Sequence, residues 1–245
     1  MASTGSGASA PVPQASNGSV EQRKTKICVY CGASPGNKPE HMESARQLAK
    51  AMAANNVGLV YGGGTVGLMG EIARTLVSLA GPDAVHGIIP EPLVKFERDP
   101  TFTSTTTNGS STGEKLAIPE ESVFGRTTVV PDMHTRKRLM AQEVAAGGPG
   151  SGFIALPGGF GTMEELLEAA TWNQLGIQSL GIVLLNVNGF YDGLLGWIDK
   201  SVEEGFIRPA NASILVSAKN ADDAIEALRN YKVSESQYKL QWGNE

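Results

Sequence analysis

The glycine-rich stretch 155–165 carries the residue types best suited to hold a charged ligand. An apolar run ends at Leu156, which predicts a buried strand, and three glycines follow within four positions, Gly158, Gly159 and Gly161. Glycine lets a backbone turn sharply and approach a ligand closely because it has no Cβ. A helix is predicted next, and the N–H groups and dipole at a helix N-terminus favour an anion. The stretch therefore predicts a phosphate site between a strand and a helix.

Two residues of this stretch, Thr162 and Glu165, fit two different roles. Their spacing is that of a capping box, in which the carboxylate only satisfies the N–H of Thr162. However, the apolar stripe of the predicted helix, formed by Met163, Leu166, Leu167 and Ala170, places Glu165 on the side away from the sheet, near the phosphate turn. Helix capping and catalysis therefore both stay open for this carboxylate.

A second candidate group opens another helix, for which Asp132 has the residue type of an N-cap. Met133, Met140 and Val144 form the apolar stripe of that helix, and Arg136 lies at its edge. A guanidinium at the edge of a buried face needs an anionic partner. The pattern favours a functional arginine over a cluster of surface charges.

Two further motifs carry less information. Gly62-x-Gly64-x-x-Gly67 matches a dinucleotide pattern, but it follows the second predicted strand, and the acidic residue that should hold a ribose comes late. We expect it to allow close packing of a helix on the sheet, with some ligand contact. Cys28 and Cys31 fall in or at the end of a strand, which favours two small buried side chains over a redox or metal pair.

The order of elements predicts the fold class. Short, continuous apolar strands alternate with amphipathic helices, which is typical of an α/β, Rossmann-like doubly wound, mainly parallel sheet with helices on both faces. We expect a single domain over 25–232, a disordered N-terminal tail over 1–24 and a polar tail over 233–245. Residues 97–121 are rich in Thr and Ser without an apolar period, and they predict a long surface loop.

Composition excludes several classes of protein. The chain has 245 residues and a net charge of −5, which argues against a nucleic-acid partner bound by bulk electrostatics. Two cysteines do not make a disulfide framework, and no apolar run approaches the ~20 residues of a membrane helix. The histidines His41, His86 and His134 stand in ordinary contexts. The N-terminus lacks the features of a secretion signal or a mitochondrial presequence, so we expect a cytoplasmic protein without metal or cofactor.

Several motifs occur together in a recognisable combination. Residues 157–165 fit PGGxGTxxE, residues 133–137 fit MHxRK, and the turns at 31–34 and 61–70 fit as well. Together they resemble the Lonely Guy (LOG) family, the cytokinin riboside 5′-monophosphate phosphoribohydrolases. The resemblance extends from about residue 26 to 230.

The resemblance implies hydrolysis of the N-glycosidic bond of an N6-substituted AMP, or of AMP itself, to the free base and ribose 5-phosphate. It implies that Arg136 and Glu165 are the catalytic pair. The residues implied to bind the substrate and its phosphate are Ser34, Gly63, Lys137, Gly158, Gly159, Gly161, Thr162 and Thr171. A homodimer or higher homo-oligomer, with its sites near the interface, is implied as well.

One competing interpretation remains. The predicted fold resembles that of molybdenum-cofactor carrier proteins, which also use a PGGxGT turn. The alternative is therefore a non-catalytic carrier of a nucleotide or of this cofactor. A carrier does not need Arg136 and Glu165, and their presence favours the enzyme. The segment 97–121 and the stretch Gly147–Gly152 look longer than the family's connections, which leaves the choice of base open.

Overall fold

The structure is a computed structural model that describes residues 23–95, 104–108 and 115–240. The strands are β1 (Lys26–Tyr30), β2 (Gly58–Tyr61), β3 (Val85–Pro90), β4 (Ser104–Asn108), β5 (Lys115–Pro119), β6 (Arg126–Val130), β7 (Gly152–Ala155), β8 (Gly181–Leu185) and β9 (Leu215–Ala218). The helices are α1 (Pro39–Ala54), α2 (Gly67–Ala80), α3 (Glu121–Phe124), α4 (Met133–Ala145), α5 (Phe160–Leu175), α6 (Asp192–Glu203) and α7 (Ala221–Arg229).

Seven strands form one parallel sheet in the order β6-β3-β2-β1-β7-β8-β9. The chain moves outward from β1 through β2 and β3 to β6, and then returns to place β7 on the other side of β1. The direction of winding therefore reverses between β1 and β7. Crevices at such reversal points, beyond the carboxyl ends of the strands, are where open α/β sheets bind ligands.

Helices cover both faces of the sheet, which confirms the predicted fold class. Apolar side chains of α1, α2 and α7 pack on one face, and those of α4, α5 and α6 on the other. The sequence of β1 is continuously apolar because both faces of the strand are buried. Ile27 and Val29 belong to the core on one face of the sheet, and Cys28 and Tyr30 to the core on the other. Cys28 and Cys31 are free, buried thiols, as the strand context predicts.

The prediction of a long surface loop over 97–121 is wrong for the part that the structure describes, because that part contains two strands. Strands β4 and β5 pair antiparallel, with Ser104 opposite Pro119 and Asn108 opposite Lys115. Threonine is β-branched and favours extended backbone, and this preference outweighs the absence of an apolar period. The remaining predictions for 96–103 and 109–114, like those for 1–22 and 241–245, lie outside the described residues.

Polar contacts at the amino-terminal ends of two interior strands fix α4, the helix that carries Arg136. Glu143 on α4 accepts hydrogen bonds from Lys26 on β1 at 2.9 Å and pairs with His86 on β3 at 2.5 Å. Burial alone would raise the pKa of Glu143, but these two partners outweigh burial and lower it to about 2. The carboxylate is therefore charged at neutral pH and ties α4 to two central strands.

The C-terminal segment holds the far end of α5. Gln237 donates a hydrogen bond to the carbonyl of Asn173 at 2.7 Å, and the N–H of Tyr238 donates to the carbonyl of Gln174 at 2.9 Å. The part of the predicted polar tail up to residue 240 thus packs on this helix. None of the helices within the described ranges is long and apolar enough to cross a bilayer.

Candidate active site

A cavity of about 840 Å³ opens at the carboxyl ends of the central strands. The turns after β1, β2, β7 and β8 contribute to its lining, together with residues of α2, α4 and α5. It therefore lies at the point where the winding of the sheet reverses. The predicted glycine-rich turns meet here because β2, β1 and β7 are neighbours in the sheet.

Backbone hydrogen bonds hold the glycine-rich turn in place. The N–H of Leu156 donates to the carbonyl of Tyr30 at 2.9 Å, and the N–H of Gly32 donates to that of Pro157 at 3.0 Å, so β1–β7 pairing continues into both turns. The hydroxyl of Tyr191 donates to the carbonyl of Leu156 at 2.6 Å. Burial raises the pKa of Tyr191, which keeps this donor protonated. The turn is thus fixed before any ligand binds.

Helix α5 begins earlier than the capping-box interpretation requires. Its N-cap is Gly159 and its first residue is Phe160, so Thr162 is a buried residue inside the first turn. A Cβ at Gly158 would lie 2.0 Å from Oγ1 of Thr162, whereas Cβ atoms at Gly159 and Gly161 would meet open space. The turn therefore packs tightly on one side and exposes backbone on the other, as a phosphate site requires.

Glu165 is not half of a capping box, and it does not face away from the sheet. It shares the buried face of α5 with Thr162, Leu166 and Ala169, and only 8% of its surface is exposed. The prediction of the buried face of this helix was therefore wrong, since Leu167, which was expected in the apolar stripe, lies at the surface. A carboxylate in such a position costs free energy unless a cation or hydrogen bonds compensate for its burial.

Arg136 is the cation that faces Glu165. Asp132 caps α4 by accepting a hydrogen bond from the N–H of Thr135 at 2.8 Å, as predicted, and Arg136 follows in the first turn. The guanidinium is buried, with 5% of the residue exposed, and its Nη2 lies 3.8 Å from Oε1 of Glu165. Its Nε has no hydrogen-bond partner within the described residues. The arginine therefore keeps a buried donor at the wall of the cavity.

The glycine triplet after β2 makes room for this arginine. A Cβ on Gly62 would lie 1.8 Å from Nη2 of Arg136, closer than any real contact. The guanidinium therefore lies directly against the backbone of the turn. Glycine at this position is explained by the position of Arg136.

The dinucleotide pattern has a structural role instead. The N–H groups of Leu68 and Met69, at the start of α2, donate to the carbonyl of Gly32 at 3.1 and 3.4 Å. A Cβ on Gly67 would lie 2.3 Å from the backbone of Ala33 and Ser34. The N-terminus of α2 is thus occupied by the turn after β1, and no pyrophosphate can take that place. The close packing that the glycines predicted therefore occurs, but α2 packs against the turn after β1.

The structure brings most of the predicted site residues to one cavity. Those in its lining are Ser34, Arg136, Gly158, Gly159, Gly161, Thr162 and Glu165. Three others lie outside the lining. Gly63 turns towards Ile89 on β3, Thr171 donates to the carbonyl of Leu167 at 2.8 Å, and Lys137 pairs with carboxylates of α5.

Other lining residues have no motif in the sequence. Val187, Asn188 and Phe190 follow β8, and His41 at the start of α1 packs edge-on against Phe190. The rule that ligands bind beyond the carboxyl ends of neighbouring strands could have indicated the turn after β8. No comparable signal indicates His41.

Comparisons with known proteins identify the family. A family model described as "Possible lysine decarboxylase" matches residues 69–228. The cytokinin riboside 5′-monophosphate phosphoribohydrolase LOG1 of Arabidopsis thaliana is 42% identical over 212 residues, which cover 86% of this chain and 86% of that protein. The chain belongs to the LOG family. LOG7 of the same plant is also 42% identical, over 91% of this chain and 90% of its own length.

A longer relative of this LOG-family chain occurs in a fungus. A bifunctional cytokinin biosynthesis protein of Fusarium pseudograminearum is 47% identical over 222 residues, or 91% of this chain. The match covers 43% of that protein, so the chain spans less than half of this relative's length. The names of the relatives indicate a hydrolase, the phosphoribohydrolase class.

Solved structures confirm the fold of this LOG-family chain. The molybdenum cofactor carrier protein of Chlamydomonas reinhardtii superposes with a TM-score of 0.53 at 19% identity, over 84% of this chain and 97% of that one. The molybdenum cofactor binding protein of Rippkaea orientalis gives the same TM-score at 18% identity, over 84% and 96%. At such low identity the likeness concerns the architecture alone.

Proposed function

We propose that this protein hydrolyses the N-glycosidic bond of cytokinin riboside 5′-monophosphates, giving the free base and ribose 5-phosphate. The observation that supports it most is the buried pair of Arg136 and Glu165, at 3.8 Å, in the wall of a cavity that also holds the glycine-rich turn. The family relatives named phosphoribohydrolases agree with this chemistry. N6-substituted AMP is the proposed substrate, and AMP itself is the unmodified comparison.

The geometry suits the charge that develops in the reaction. Cleavage of an N-glycosidic bond builds positive charge on the ribose, as in glycoside hydrolysis. In the proposed complex the N-terminal turn of α5 binds the 5′-phosphate, which fixes the ribose beside it. Glu165 then stabilises the positive charge or orients the attacking water. The guanidinium of Arg136, 3.8 Å from Glu165, offsets the buried charge of that carboxylate or assists the departing base.

Product analysis tests this proposal. The purified protein is incubated with N6-isopentenyl-AMP, with AMP and with the riboside that lacks the phosphate. We expect equal amounts of free base and ribose 5-phosphate from the nucleotide, and at least about a hundredfold lower kcat/KM for the riboside, because it loses the phosphate contacts. Nucleotide that is bound but recovered intact would instead support the carrier interpretation.

We further propose that the protein is a homodimer or a higher homo-oligomer with its sites near the interface. Phe160, at the entrance of the glycine-rich turn, is 97% exposed, and Leu167 lies on the surface two turns further along α5. Large apolar side chains aligned on one helix face are typical of an interaction surface. Light scattering should give at least twice the mass of one chain, and Leu167→Glu should reduce it. A monomeric wild-type protein would contradict this proposal.

A further inference from the structure

Lys137 ties α4 to α5 directly beside the proposed catalytic pair. Its ammonium donates to Oε1 of Glu164 at 2.5 Å and to Oε2 of Glu168 at 2.7 Å. These glutamates lie four residues apart, on consecutive turns of the same face of α5. The lysine side chain is only 11% exposed. One cation thus bridges two helices through two carboxylates.

The positions of these residues couple the bridge to the pair. Lys137 follows Arg136 on α4, and Glu164 precedes Glu165 on α5. The backbones of α4 and α5 make few close approaches to each other. Arg136 and Glu165 are themselves 3.8 Å apart, which is too long for a strong hydrogen bond. Their separation therefore depends on contacts outside the pair.

We propose that Lys137 is a positioning residue that sets the distance between Arg136 and Glu165. This inference rests on the proposed function. It differs from the role that the family resemblance implies, since Lys137 does not belong to the lining of the cavity. In this account its ammonium holds α5 and makes no contact with the nucleotide.

The electrostatics agree with a permanent bridge. Burial alone would lower the pKa of Lys137, but the hydrogen bonds to Glu164 and Glu168 outweigh burial and raise it. The lysine is therefore charged at neutral pH. Loss of the bridge should loosen the geometry of the reacting groups, and rates depend steeply on such geometry. Affinity should change little, because neither Lys137 nor its two glutamates line the cavity.

A mutant cycle on the full chain tests this inference. The variants are Lys137→Met, the double variant Glu164→Gln with Glu168→Gln, and the triple variant that combines them. We expect about a tenfold lower kcat for each, with KM within about twofold of wild type and a triple variant no worse than the first two. Lys137→Arg should keep most of the rate, because arginine carries the same charge and can donate to both Glu164 and Glu168.

Lys200 supplies a matched control. It bridges Glu203 at 3.3 Å and Glu204 at 2.9 Å on α6, away from the cavity. Lys200→Met removes an exposed lysine–glutamate bridge along a single helix, and we expect it to leave kcat and KM unchanged. An equal loss of rate in this control would show that the effect at Lys137 is not specific.

Two results would overturn the inference. A higher KM with unchanged kcat in Lys137→Met, or losses that add in the triple variant, would mean that the lysine contacts the substrate. If the wild-type protein turns over no nucleotide, the proposed function fails, and crystal structures then test the bridge. The distance from Nη2 of Arg136 to Oε1 of Glu165 should lengthen by about 1 Å or more in Lys137→Met. An unchanged distance would contradict the positioning role.

Discussion

Glu165→Gln should lower kcat for N6-isopentenyl-AMP by a factor of about 10² to 10⁴. The amide keeps the volume of the carboxylate but cannot stabilise positive charge on the ribose. The change also leaves Arg136 buried without a charged partner, so the melting temperature should fall, with the protein still folded. Steady-state kinetics and circular dichroism on the same preparations measure both effects.

Glu204→Gln is the control for this substitution. Glu204 is an exposed residue at the end of α6 whose carboxylate pairs only with a surface lysine within the described residues. The same chemical change there should leave both rate and stability near wild type. If Glu165→Gln turned over substrate as fast as this control, the carboxylate of Glu165 would have no part in the chemistry.

Gly62→Ala should lower kcat/KM by about a hundredfold because it displaces Arg136. The new methyl group would lie 1.8 Å from Nη2 of Arg136, so the guanidinium has to leave its position beside Glu165. A displacement of about 1 Å near the reacting groups is enough for such a loss. The open cavity gives the arginine somewhere to move, and we therefore expect the fold to persist.

Gly196→Ala is the control for Gly62→Ala, because it makes the same substitution at a site with free space. Gly196 lies inside α6, and a Cβ there meets no atom within 4 Å. Alanine should leave the kinetics unchanged and raise stability slightly, because it has a higher helix propensity than glycine. Normal activity in Gly62→Ala would show that the position of Arg136 against the turn is not required.

Local patterns in the sequence were sufficient to predict the fold. Continuous apolar strands between amphipathic helices predicted the parallel sheet, and Asp132 marked the start of α4 correctly. The meeting of the glycine-rich turns also followed, since ligands of such sheets bind beyond the strands' carboxyl ends. Arg136 was predicted to need an anionic partner, and Glu165 faces it at 3.8 Å.

The remaining features depend on tertiary packing that local patterns do not encode. Threonine is a better N-cap than a residue in a glycine run, so the pattern favoured Thr162 over Gly159 as the start of α5. The same helix is apolar on two sides, and only the sheet decides that Glu165 is buried while Leu167 is exposed. The contact between Gly62 and Arg136 joins residues 74 positions apart, which no spacing rule covers.

A crystal structure of Glu165→Gln with AMP bound tests the central claim most directly. We predict that a phosphate oxygen lies about 3 Å from the N–H groups of the first turn of α5, and that C1′ lies within about 4 Å of the side chain of residue 165, next to Arg136. Such a complex would place the scissile bond at the buried pair. A nucleotide bound with its phosphate on Arg136 and its base at Gly158–Gly161 would contradict the account.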